Sequence, residues 1–309
     1  MKFGYKLCLL SLVFTLCSCS SKSNNAEQNE PIFDDGAARV VLLFGQSNME
    51  GESYRIHLER RVSKAKFLEY QNGYENIQIS YCVPWNPAQQ SRNHFVRVAL
   101  GQGGQEDRFG PEVGLAEYLN DKNYQNVFFV KYSYGGTRLA NEWRSPSSGK
   151  AGDLYNGAVK YTLNAMKVLE NMGYYPIIDA ICWMQGESDC DGSYSSYDSI
   201  YYTLEKNFIS DLRNDLLYYG NPNGIGFIDA GISTWSYWKY SSELNADKEA
   251  ISKEDDLNYY FSTSDLEYAK EPSIAADNAH YDSTSEIILG QRFGEYAEKF
   301  INRDYTISL

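Results

Sequence analysis

Ser47 stands where the first apolar run ends, in the segment Gly45-Gln46-Ser47-Asn48-Met49-Glu50-Gly51. A serine at the carboxyl end of a strand is exposed enough to act as a nucleophile. Its own backbone N–H, at a turn or helix start, can stabilise an oxyanion. The segment is not the Gly-x-Ser-x-Gly elbow of α/β-hydrolases, because Met49 replaces the second glycine. Taken alone, Ser47 also reads as a helix N-cap with Asn48 in a turn.

A serine nucleophile needs an imidazole to take its proton and a carboxylate to orient that imidazole. Asp277-Asn278-Ala279-His280 offers both on one tight loop before the last helical pattern, although His280 could instead cap or pack against that helix. The other histidines, His57 and His94, have no aspartate three residues before them, so His280 is the best available base. Trp183-Met184-Gln185-Gly186-Glu187-Ser188-Asp189 closes another buried run. Gln185 would project from the same sheet edge as Ser47, where its amide could donate to an oxyanion. Glu187 and Asp189 admit a second reading, the carboxylate pair of a glycosidase, although acids are common in loops after strands. In Tyr134-Gly135-Gly136-Thr137-Arg138 the glycines expose backbone N–H groups, which suits a further oxyanion donor or simply a tight turn. No Lys-Ser/Thr pair follows them, so a phosphate cradle is excluded.

These residues must be positioned by a scaffold. Arg39 to Phe44, Asn126 to Tyr132 and Ile177 to Met184 read as buried parallel strands, with Gly224 to Asp229 as a fourth. Helical patterns span Pro111 to Leu119, Leu154 to Met172, Tyr197 to Tyr218 and Ser283 to Asn302. The alternation argues for an α/β domain with a parallel sheet covered on both sides. Two stretches, near 54–107 and 236–271, read as insertions at the strand ends, where open α/β sheets bind ligands. Trp85, Tyr237, Trp238, Tyr259 and Tyr260 within them are candidate sugar-facing aromatics, or packing residues.

The 309 residues, 43% hydrophobic and 22% charged, can bury a substantial core. A net charge of −13 repels phosphate backbones, so a nucleic-acid partner is not expected. Lys2 and Lys6 precede an apolar run from Leu7 to Cys17, too short to span a bilayer. This reads as a signal peptide over 1–18. Leu16-Cys17-Ser18-Cys19 resembles a lipobox, with plain signal-peptidase cleavage as the alternative. Lipid on Cys19 would then hold an exported lipoprotein at the outer membrane through a tether over 19–36, leaving a domain at 37–309. Cys82, Cys182 and Cys190 remain, an odd number, and no Cys/His spacing suggests a metal site.

Five segments carry a resemblance: Gly45 to Met49, Gly110-Pro111-Glu112, Gly135-Gly136-Thr137, Trp183 to Asp189, and Asp277-x-x-His280 followed by Tyr281-Asp282. In that order they are similar to SGNH-type hydrolases of the carbohydrate acetylesterase group, which includes sialate O-acetylesterases and acetyl xylan esterases. The resemblance implies a flavodoxin-like three-layer α/β/α sandwich with a central parallel sheet. It implies Ser47 as nucleophile with Asp277 and His280 as partners. It also implies an oxyanion hole from the N–H groups of Ser47 and Gly135 plus the Gln185 amide, with Glu187 in support. No metal or organic cofactor is expected, and the expected partner is an acetylated carbohydrate. The rival expectations are a non-catalytic glycan-binding lipoprotein of the same fold and an esterase or thioesterase for lipid-like acyl groups.

Overall fold

In the computed structural model the first apolar run forms β1 (Ala37–Gly45), with every residue buried. A strand sandwiched on both faces has no solvent side and so needs no polar alternation. The structure describes residues 36–192, 200–270 and 277–303. The signal segment and Cys19 lie outside the described residues.

After β1 come α1 (Ser47–Glu50), β2 (Ser53–Tyr54), α2 (Arg55–Arg61), α3 (Lys64–Asn72), β3 (Tyr74–Cys82), β4 (Val96–Val98) and β5 (Arg108–Phe109). Next are α4 (Glu112–Asp121), β6 (Val127–Ser133), α5 (Asp153–Asn171), β7 (Tyr175–Met184) and α6 (Ile200–Asp215). The chain continues through β8 (Gly226–Ala230), α7 (Ser241–Ser252), β9 (Asn258–Phe261), β10 (Tyr268–Ala269), β11 (Asp277–Tyr281) and α8 (Ser283–Ile301).

Seven strands form one sheet in the order β4-β3-β6-β1-β7-β8-β9. All neighbouring pairs are parallel except β3 with the short edge strand β4. Successive strand residues point to opposite faces, and β8 shows which helix covers which. Gly226 lies against the Phe300 ring of α8, while Phe227 meets Phe208 of α6 with ring centroids 6.4 Å apart. On the α8 side, α4 joins the layer through Tyr118, whose hydroxyl donates to Glu298 at 2.7 Å. On the α6 side, Phe208 packs on Trp183 (4.5 Å) and on Tyr155 of α5 (5.9 Å). The fold is thus a three-layer α/β/α sandwich, as expected. Among the described residues no helix is long and apolar enough to cross a membrane.

Two expectations are corrected. The stretch near 54–107 is not an insertion as a whole, because its β3 pairs in parallel with β6 from Ile77 to Cys82 and buries Ile77 and Ile79 completely. The stretch near 236–271 likewise supplies α7 and β9, and β9 extends the sheet in parallel beside β8. Both are β-strands near the sheet edges, where one flank is short or solvated, so neither shows a continuous apolar run. The helix read as Tyr197 to Tyr218 is described from Ile200 and stops at Asp215, followed by a single 3₁₀ turn over Leu217–Tyr219.

Candidate active site

β1 lies between β6 and β7, so the loops leaving all three carboxyl ends converge. Two backbone bonds fasten them. Gln46 N–H donates to Met184 O at 3.0 Å, and Tyr134 N–H donates to Gly45 O at 3.1 Å. Gly45 is required there, since a Cβ would stand 2.1 Å from Met184 O. The chain then turns at once into α1, and Glu50 N–H closes it on Gln46 O at 2.7 Å. Ser47 is therefore the first residue of a one-turn helix, where backbone N–H groups have no partner within the helix. A Cβ on Gly135 would come within 3.2 Å of Ser47 Cβ, so a side chain there would crowd the hydroxyl.

Asp277 and His280 sit on β11. Residues three apart on a regular strand face opposite ways. The β10–β11 ladder slips, however: Tyr268 opposes Tyr281 and the next residue, Ala269, opposes Asp277. The resulting bulge lets Asp277 and His280 meet, with Nδ1 2.6 Å from Asp277 Oδ2. A carboxylate only accepts, so Nδ1 carries the proton and Nε2 of the neutral ring is left as a base. Burial pushes the Asp277 carboxyl up. The hydrogen bond and charge of His280, with the N–H groups of Ala279 and His280, outweigh it and hold the carboxyl below its ordinary value. Asp282 then caps α8, accepting from Thr284 N–H at 3.0 Å and Ser285 N–H at 2.8 Å.

Ser47 and His280 line one cavity of about 740 Å³, together with Gly135, Glu50, Arg138 and Trp85. Tyr237 and Trp238 complete part of its wall, whereas Tyr259 packs on Tyr296 and Phe300 and Tyr260 against Gly231. His57 is buried beside Tyr54, and His94 is exposed away from the cavity.

Gln185 departs from expectation. It is wholly buried, and the two hydrogens of its amide nitrogen are donated to Thr137 O (3.1 Å) and Asp189 Oδ2 (2.6 Å). It lies beneath the cavity rather than lining it, and it ties the Thr137 loop to Asp189 below Ser47. Asp189 also accepts from Leu139 N–H at 2.9 Å. Burial, opposed by Gln185 and these N–H groups, raises its carboxyl to about 6. Glu187 is fully buried as well, and burial pushes it upward against the Asn48 hydrogen bond. Neither acid faces the cavity, which removes the glycosidase pairing.

Three residues that carry much of the arrangement were not singled out by spacing. Asn48 Nδ2 donates to Glu187 Oε1 at 2.7 Å and to Ala279 O at 3.4 Å, while its Oδ1 accepts from Tyr281 N–H at 3.3 Å. It thereby holds both neighbours of His280. Lys131, fully buried in β6, donates to Glu50 O (2.8 Å), Gln102 O (3.1 Å) and Glu112 Oε2 (2.7 Å). This explains the Gly110-Pro111-Glu112 segment as an anchor beneath the Ser47 turn. A lysine inside Val127-Phe128-Phe129-Val130-Lys131 was the available signal, since a buried ammonium must be paired. Glu50 Oε2 accepts from Gly135 N–H at 2.7 Å and Oε1 from the Trp85 indole at 2.9 Å. Burial raises its carboxyl, opposed by those two donors and by Lys131 and His280. Cys82, Cys182 and Cys190 are all free thiols. Among the described residues no group of three or more His, Cys, Asp or Glu could hold a metal ion.

A family model described as carbohydrate esterase, sialic acid-specific acetylesterase matches residues 37–301. No curated protein sequence matches significantly. Among solved structures, a protein from Arabidopsis thaliana aligns with a TM-score of 0.59 at 20% identity, covering 85% of this chain and 98% of that one. NanS aligns at 0.54 and 16% identity, covering 87% and 99%. A carbohydrate acetylesterase from Xanthomonas citri aligns at 0.55 and 13% identity, covering 87% and 57%. At these identities the structural likeness speaks for the fold. The family match spans nearly the whole described chain, including every segment that builds the cavity. The chain is accordingly a carboxylic ester hydrolase, and it belongs to the carbohydrate esterase family of sialic acid-specific acetylesterases.

Proposed function

We propose that the protein removes O-acetyl groups from carbohydrates by two-step acyl transfer through Ser47. The observation that carries this reading is the 2.6 Å pairing of His280 with Asp277 on the wall of the cavity that Ser47 also lines. His280 Nε2 takes the Ser47 proton as the hydroxyl oxygen attacks the ester carbonyl. Negative charge on the carbonyl oxygen is met by the backbone N–H groups of Ser47 and Gly135. The Gly135 N–H already holds a carboxylate oxygen of Glu50, so it is directed at an anionic oxygen in this cavity. To use that N–H, the acyl oxygen must displace Glu50 Oε2 from it. The sugar hydroxyl leaves with the proton from His280. Water, activated by the same imidazole, then releases acetate and restores Ser47.

A lipid-like acyl chain requires a continuous apolar wall, and this cavity interrupts its aromatic faces with carboxylates, amides and a guanidinium. That mixture suits a sugar, whose ring faces stack and whose hydroxyls seek polar partners. Rates along acetyl, butyryl and hexanoyl esters of one alcohol test the reading. kcat/KM should fall along the series, and acetate should appear from acetylated glycans. A rise with chain length, or no acetate from any acetylated sugar, would overturn it.

A further inference from the structure

We propose that Glu205 is a positioning residue for the Ser47 site: it stays protonated in the folded protein and donates to Tyr201, which in turn fixes the amide of Gln185. The count of hydrogens carries this. Tyr201 Oη lies 3.0 Å from Gln185 Oε1, 3.3 Å from Gln185 O and 3.2 Å from Glu205 Oε1, and Tyr201 and Glu205 are both buried on α6. A phenol has one hydrogen, and an ionised carboxylate only accepts. The Gln185 nitrogen is committed to Thr137 O and Asp189 Oδ2, so its oxygen faces Tyr201 and takes the phenol hydrogen. Glu205 Oε1 then bonds to Tyr201 only by bringing a hydrogen of its own. Giving the phenol hydrogen to an ionised Glu205 would instead leave the buried Gln185 oxygen facing lone pairs.

The surrounding charges agree. Lys248 of α7 is fully buried and is taken up by β8, donating to Asp229 Oδ1 at 2.6 Å and to Ala230 O at 2.9 Å. One buried cation balances one carboxylate, and an ionised Glu205 would be a second. Glu187 also faces Lys248, Tyr260 of β9 faces the Asp229–Lys248 pair, and Asp189 faces Tyr201. Burial and the charge of Asp229 push the Glu205 carboxyl well above its ordinary value, against Lys248 and Tyr201. From Gln185 the bonds reach the cavity wall. Asp189 accepts from Leu139 N–H at 2.9 Å and Ala140 N–H at 3.3 Å, and Thr137 Oγ1 donates to Tyr134 O at 2.6 Å. The loop from Tyr134 to Ala140, which carries the Gly135 N–H proposed for the oxyanion, thus hangs on an amide whose orientation a buried acid sets.

The kinetic side of this inference rests on the acetylesterase reading; the protonation does not. The infrared difference spectrum of wild type minus Glu205→Gln, at about pH 8, should show the carbonyl band of a protonated carboxyl. A glutamine amide matches the protonated acid, with its N–H toward Tyr201, so Glu205→Gln should keep kcat within about twofold. Tyr201→Phe leaves the Gln185 oxygen without its donor and should lower kcat about tenfold in a folded protein. Thermal unfolding has a defined sign. Above the ordinary carboxylate range the unfolded chain loses the Glu205 proton while the folded protein keeps it, so this group costs wild type stability as pH rises, and Glu205→Gln escapes that cost. The Tm of Glu205→Gln relative to wild type should therefore climb by at least about 3 °C between about pH 5 and 8. No carboxyl band, or a Tm difference that stays flat or shrinks, overturns the protonation. Wild-type kcat in Tyr201→Phe, or a Glu205→Gln as slow as Tyr201→Phe, overturns the positioning. No acetate from any acetylated sugar would instead reject the underlying function, while the infrared and Tm readouts still decide the proton.

Discussion

Removing the Asn48 side chain should loosen the site more than its small size suggests. In Asn48→Ala, the fully buried Glu187 carboxyl loses a donor at 2.7 Å, and hydrogen bonds to charged groups contribute about 1.5–3 kcal/mol. The bonds to Ala279 O at 3.4 Å and from Tyr281 N–H at 3.3 Å are long and neutral, and together add at most about 1 kcal/mol. A loss of about 2–4 kcal/mol follows, which for a domain of this size lowers Tm by roughly 5–12 °C. The pH dependence has a defined sign. Burial already raises Glu187 in the folded state, and losing Asn48 raises it further. Both proteins hold a protonated Glu187 at low pH, so the deficit of the variant grows as pH rises through the folded Glu187 titration. Ala279 and Tyr281 flank His280, so kcat should also fall, by about 10–100-fold for a misplaced base. Thermal unfolding and acetate-release kinetics of Asn48→Ala, Glu187→Gln and the double variant check this. In the Glu187→Gln background no charge is stranded, and the cost should shrink by about 1–2 kcal/mol. Strictly additive effects, or wild-type Tm and kcat in Asn48→Ala, would refute the reasoning.

Gln185→Ala should lower kcat and Tm together, by roughly 2–4 kcal/mol in stability, because buried acceptors on Thr137 and Asp189 lose a donor. A fall in kcat with wild-type Tm would return Gln185 to the role of a direct oxyanion donor. His280 holds the Asp277 carboxyl below its ordinary range, so acidification into the ordinary carboxylate range should leave Asp277 ionised, which the carboxyl chemical shift on NMR titration checks.

The centre of the sheet was legible because β1, β6 and β7 are buried on both faces and read as mostly apolar runs despite Arg39, Lys131 and Asp179. β3 and β9 were not, and for a shared reason. Glu75 and Asn76 of β3 are exposed, and Asn258, Tyr259 and Tyr260 of β9 are only half-buried, so the strands near the edges look like loop sequence. At the site, Ser47, Asp277 and His280 stood out because few residue types can act as nucleophile, orienting acid and base. The bulge that lets Asp277 and His280 face each other depends on pairing with β10, which spacing cannot show. The burial of Gln185 was not legible because its partners at 137 and 189 meet only in the folded chain. Asn48 was legible as a turn former but not as the brace of a loop more than two hundred residues away.

The central claim is that Ser47 is the nucleophile and His280 its base, and covalent trapping tests it most directly. The folded protein is treated with a serine-reactive phosphonate ester, digested, and its adducts located by peptide mass spectrometry. The account predicts one stoichiometric adduct on Ser47 and loss of acetate release in step with labelling. It also predicts no adduct in Ser47→Ala, and labelling slowed by at least about a hundredfold in His280→Ala, because an unactivated hydroxyl is a poor nucleophile. Stoichiometric labelling at another serine, or undiminished acetate release by folded Ser47→Ala, would contradict it.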